Sequence, residues 1–114
     1  MCASGVAATD LAALDGEWGW FGSVVAAASP SGPAPAIDDD LAYVNPWGFD
    51  PADASAPTLL VHGTTDRIVP VAHPRWLATR IPHAELRVLE GAGHLSVVSG
   101  AVGALEWIAA RAAS

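Results

Sequence analysis

The sequence predicts an α/β fold in which two parallel strands alternate with two helices, after a helical N-terminal segment. Three observations predict it. Thr58-Leu59-Leu60-Val61 is a continuous apolar run, as expected of a parallel strand covered on both faces. Residues 84–90 alternate, with Leu86, Val88 and Glu90 on one side and Glu85, Arg87 and Leu89 on the other, which marks a second strand. Each run is followed by a stretch with apolar residues at helical spacing: Trp76, Leu77 and Ile81, then Val98, Val102, Leu105, Ile108 and Ala109. A right-handed crossover then makes the strands parallel and brings the loops after them to one rim.

The elements follow in order. Residues 1–45 are rich in Ala and Gly. Leu11-Ala12-Ala13-Leu14 and residues 21–28 read as short helices separated by Gly16, Gly19 and Gly22. Pro30, Pro33 and Pro35 mark a loop over 29–35, and Asp38-Asp39-Asp40 then fits the start of a helix, where carboxylates complement the dipole. The same three carboxylates suit a divalent ion, but no further carboxylate cluster stands nearby at ligand spacing. Residues 46–56, beginning Pro46-Trp47-Gly48-Phe49-Asp50, form a rigid connector that carries aromatic rings. From 57 to 114 the strand–helix–strand–helix pattern runs, with Pro74 in the first turn of its helix, where a missing N–H costs little. The expected closing helix covers 95–112 despite Gly100 and Gly103.

The bulk numbers exclude several functions. A chain of 114 residues holds one domain and buries about 65% of its unfolded surface. Hydrophobic residues are 52% and charged residues 15%, which argues against disorder. No apolar run approaches the roughly 20 residues that span a bilayer, so no membrane partner is expected. The N-terminus lacks a basic start, and the expectation is a soluble, cytoplasmic chain. Of the net charge of −7, residues 1–56 carry −8 with no Lys or Arg, and the remainder carries +1. Nothing basic is arranged to meet phosphates, so nucleic acid is excluded, and the acidic half reads as solvated surface charge. Cys2 is the single cysteine, and no Cys/His cluster has zinc-ligand spacing, so neither a disulfide nor a metal is expected.

The chemistry lies at the two strand ends. Asp66 stands three residues after Gly63, and His94 follows Gly91-Ala92-Gly93. A buried Asp beside a His fixes the imidazole tautomer and stabilises the imidazolium formed when the ring takes a proton. The separation of 28 positions accommodates one loop, one crossover helix and one strand. Gly63 allows a sharp exit from the strand, and Val69-Pro70 stiffens the return. Among the other histidines, His62 packs or donates a hydrogen bond at a strand end, His73 caps a helix start, and His83 lies in a surface turn. Trp18 and Trp20 suit core packing or the wall of a substrate cavity.

Four segments, Pro57-Thr-Leu-Leu-Val-His-Gly63, Asp66-Arg-Ile-Val-Pro70, Trp76-Leu-Ala-Thr-Arg-Ile-Pro82 and Gly91-Ala-Gly-His-Leu-Ser96, resemble the C-terminal part of the α/β-hydrolase family in order and spacing. Pro46-Trp-Gly-Phe-Asp50 resembles the connector that returns from the cap to the sheet. The resemblance implies a helical cap-like or lid tail over 1–45, a connector over 46–56, and the C-terminal βαβα part of the core over 57–114. It puts Asp66 in the acid position and His94 in the general-base position, with no cofactor. It also implies hydrolysis of an ester, amide or related bond in a small-molecule substrate. The family's nucleophile lies in Gly-x-Ser-x-Gly upstream of the acid. Ser4, Ser23, Ser29, Ser31 and Ser55 lack that setting, and Cys2 cannot occupy a strand-to-helix elbow. The expectation is therefore the C-terminal portion of a larger serine-hydrolase-like enzyme, inactive alone, whose partner is the missing N-terminal half of the core. The alternative is a non-catalytic remnant or interaction module. The substrate-binding residues stay unassigned.

Overall fold

The computed structural model describes residues 6–28, 30 and 32–112, so Cys2, Ser4, Ser29 and Ser31 lie outside the described residues. The helices are α1 (Ala8–Asp15), α2 (Phe21–Ala28), α3 (Ala34–Val44), α4 (Ala72–Arg80) and α5 (Ala101–Ala112). Strands β1 (Thr58–Gly63) and β2 (Ala84–Leu89) pair in parallel, Thr58 opposite Ala84 and Gly63 opposite Leu89. Both strands thus end at one rim. Helix α4 packs on both strands, α5 packs on β1, and short 3₁₀ turns occupy Pro51–Asp53 and Ser96–Gly100.

Local chemistry explains the boundaries next to the connector. Asp50 accepts the Ala52 N–H at 2.9 Å, capping the first 3₁₀ turn, and both its oxygens receive Arg80 Nη2 at 3.1 and 2.9 Å. The connector is thereby tied to the end of α4, and those two contacts hold the Asp50 carboxyl below its ordinary range. Pro74 does lie near the start of α4 and is buried.

Three expectations are corrected. Pro35 belongs to the first turn of α3 rather than to a loop, since that position needs no N–H. Asp38, Asp39 and Asp40 consequently fall in the middle of α3, away from its N-terminal dipole. The closing segment begins as a 3₁₀ turn, and α5 starts only at Ala101. At Gly100 a Cβ would stand 2.9 Å from Leu89 Cδ1 and 3.4 Å from Val61 Cγ1, so the glycine lets this turn lie against the strands.

The apolar core is thin. Trp107 and Ala7 are its buried hydrophobic residues among those described. Trp107 donates Nε1–H to Glu85 Oε2 at 2.7 Å, Arg87 Nε reaches Glu85 Oε1 at 2.9 Å, and the Arg111 guanidinium lies 3.6 Å over the indole. The charged hydrogen bond to Glu85 fixes α5 to the start of β2, and the cation–π contact within α5 braces the indole. Large side chains including Val24, Ile37, Leu41, Val44, Val102 and Leu105 remain about half exposed or more. The radius of gyration, 16.2 Å, exceeds the ~13 Å of a tightly packed domain of this length.

Candidate active site

The rim is built by close backbone approach. A Cβ on Gly63 would collide with the Ala92 backbone, so the glycine serves the packing of one loop on the other. Thr65 N–H donates to the Ala92 carbonyl at 2.9 Å, and its hydroxyl lies 3.0 Å and 2.9 Å from the Gly91 and Ala92 carbonyls. Thr64 Oγ1 accepts the Gly91 N–H at 2.8 Å. Gly91 makes the turn after β2 with φ +74°, a value that favours glycine.

Asp66 sits between these loops with its side chain 2% exposed. Its Oδ1 accepts the N–H groups of Ile68 and Val69 at 2.9 and 2.8 Å, an arrangement that folds the loop around the carboxylate. Its Oδ2 lies 3.0 Å from His94 Nδ1. Burial pushes the carboxyl up, but the Val69 N–H, His94 and the Ile68 N–H together outweigh it, and the group stays below the ordinary carboxylate range. An ionised carboxylate only accepts, so Nδ1 carries the proton and Nε2 is the basic nitrogen. The sequence-predicted acid and base are brought together on one rim.

A second carboxylate holds His94 from behind. Asp10, from α1, is 1% exposed. Its Oδ2 accepts the His94 N–H at 2.8 Å, and its Oδ1 accepts the Leu95 and Ser96 N–H groups at 2.9 and 2.8 Å and the Ser96 hydroxyl at 2.9 Å. Desolvation works against its charge, yet the Ser96, His94 and Leu95 donors lower its pKa. Reading the acidic half as solvated surface charge is therefore corrected for Asp10. No local signal marked it, because its partners lie 84 to 86 positions away.

His94 is 40% exposed at its side chain and lines a cavity of about 680 Å³. The other walls are Tyr43, Trp47, Ile68, Val69, His73, Trp76 and Leu77, with Ala72. The cavity joins α3, the connector and α4 over the ring, and it is mainly apolar. Trp18 and Trp20 do not line it. Their rings meet at a tilt of 47° with centroids 5.6 Å apart, and Trp20 meets Phe21 edge-on at 6.0 Å. His73 lies inside α4, whose start has no side-chain cap, so the capping expectation is corrected. His62 donates Nε2–H to the Val69 carbonyl at 2.8 Å and stands 3.5 Å from Asp66 Oδ2. His83 is exposed in the turn before β2. Among the described residues no group of three or more His, Cys, Asp or Glu could hold a metal, and no helix is long and apolar enough to cross a membrane.

The family model for the alpha/beta hydrolase fold matches residues 5–101. The chain belongs to the α/β-hydrolase fold family. It is similar to the pimeloyl-[acyl-carrier protein] methyl ester esterase of Aromatoleum aromaticum, with 40% identity over 53 residues, 46% of this chain and 21% of that protein. It is also similar to the non-heme chloroperoxidase CPO-A1 of Kitasatospora aureofaciens, with 38% identity over 74 residues, 59% of this chain and 27% of that protein. The chain thus spans about a quarter of the length of these relatives. No solved structure matches it.

Proposed function

We propose that this chain supplies the acid and the base of a nucleophile–His–Asp triad that hydrolyses an ester or related bond. The observation that carries the reading is the 3.0 Å contact from His94 Nδ1 to the buried Asp66 carboxylate, on a ring that opens to an apolar cavity. His94 Nε2 takes the proton of the nucleophile and returns it to the leaving group, and Asp66 stabilises the imidazolium between the two steps. Trp47, Trp76, Leu77 and Tyr43 suit an apolar acyl or alkyl group, which agrees with ester hydrolysis as named for the Aromatoleum relative. The sequence holds no Gly-x-Ser-x-Gly, and the Ser96 hydroxyl is committed to Asp10 and to the Gly93 N–H at 2.7 Å. The nucleophile and the oxyanion donors therefore come from hydrolase core outside these 114 residues, the partner this reading requires.

The test joins this chain to the nucleophile-bearing part of the Aromatoleum esterase and follows an apolar p-nitrophenyl ester. Saturable hydrolysis is expected from the joined protein, and none above free imidazole from the 114-residue chain. Saturable hydrolysis by the chain alone, lost on His94→Ala, contradicts the reading. One observation favours a non-catalytic interaction module instead, the exposed apolar faces of α2, α3 and α5. Under that reading the joined protein stays inactive.

A further inference from the structure

Asp10 is a buried carboxylate that the proposed chemistry does not use. Its setting differs from that of a surface capping residue. Three successive N–H groups, those of His94, Leu95 and Ser96, converge on it at the start of the 3₁₀ turn. Such groups have no partner within the turn itself and are costly to leave unmade. Gly93 belongs to the same device. A Cβ there would fall on the Asp10 carboxylate, which reaches the backbone only because that atom is missing. Asp10 and Asp66 thus grip His94 from two sides, one through its main chain and one through its ring.

We propose that Asp10 is a positioning residue for His94, fixing the main chain of the loop so that Nδ1 stays on Asp66 and the ring keeps its place against the cavity. The inference rests on the reading of His94 as the base. It assigns a role in the site to the N-terminal helical segment, since α1 contributes no other buried side chain. A displacement of about 1 Å at a catalytic group can cost roughly 10²-fold in rate, so a loop anchor matters even without touching substrate.

The two oxygens carry different loads, and this makes a sharp test. Asp10→Asn with its oxygen toward Leu95 and Ser96 keeps those bonds and turns an NH₂ against the His94 N–H. Asp10→Ala removes all of them. The probe is proton NMR of the 114-residue chain, following the His94 Nδ1–H resonance and the amide exchange of residues 94–96, with a thermal melt run beside it. In Asp10→Asn we expect the His94 amide and Nδ1 protons to exchange at least about tenfold faster while Leu95 and Ser96 stay protected. In Asp10→Ala all three amides lose protection and the Nδ1–H resonance broadens or disappears. Gly93→Ala, which displaces the carboxylate without altering it, reproduces the Ala pattern. A resonance and exchange rate unchanged in folded Asp10→Asn overturns this inference alone, as does an effect of Asp10→Ala confined to the melting temperature. Absence of the Nδ1–H resonance from the unsubstituted chain overturns this inference together with the reading on which it rests.

Discussion

The rim and the N-terminal helices of this chain are held by different means. On the rim, hydrogen bonds join residues 26 to 28 positions apart, glycines admit backbone against backbone, and the Asp66 side chain is almost fully enclosed. In α2 and α3 no residue is buried, and Val24, Val25, Ile37 and Leu41 face outward. The contrast teaches that polar lacing, rather than a deep apolar core, fixes the site geometry. Buried charge is costly unless paired, and here each buried carboxylate is paired on both oxygens. Asp10 is where the two regions meet.

The contrast can be broken at the rim and should resist change elsewhere. In the joined hydrolase, Asp66→Asn should lower kcat about 10⁴-fold through loss of the required tautomer, checked by steady-state kinetics. Gly63→Ala forces a methyl group into the Ala92 backbone and should destabilise the chain by about 3 kcal/mol, read as a lower denaturant midpoint. Trp76→Ala in the joined protein should raise KM for an apolar ester about tenfold, because the indole forms part of the cavity wall. Val25→Ser, on the exposed face of α2, should stay within about 0.5 kcal/mol of the unsubstituted chain in the same melts.

Acid should separate the regions as well. Asp10 and Asp66 both have lowered pKa values in the fold. Their contribution is therefore fully present above the unfolded value near ~3.9 and is lost as the pH falls through the folded values. Melting temperature should fall steeply below about pH 4, and Asp10→Asn should flatten that limb. An acid limb equally steep in Asp10→Asn would place its origin in other carboxylates.

Sequence pattern carried the strand–helix–strand–helix order because each strand is a contiguous apolar or alternating run. Asp66 and His94 were legible for a related reason: each is defined by its offset from a strand end, a purely local feature. The parallel register and the shared rim followed from topology. What failed was long-range or cumulative. Asp10 looks like any surface acid beside Leu11, and its burial depends on a loop more than 80 positions later. Trp47 and Trp76 were visible as a connector residue and a helix residue, but their convergence over His94 requires the path of α3 and the connector. The start of α3 was misplaced because Pro35 reads equally as a loop residue and as a first-turn residue.

The most direct test of the account is chemical rescue in the joined hydrolase. His94→Ala should lose activity toward the apolar ester by about 10⁴-fold or more, and added imidazole should restore part of it by entering the space the ring leaves beside Asp66. Rescue should weaken when Asp66→Asn is added, since the free imidazole then lacks its orienting carboxylate. Activity retained in His94→Ala without imidazole would contradict the assignment of this chain's histidine as the base.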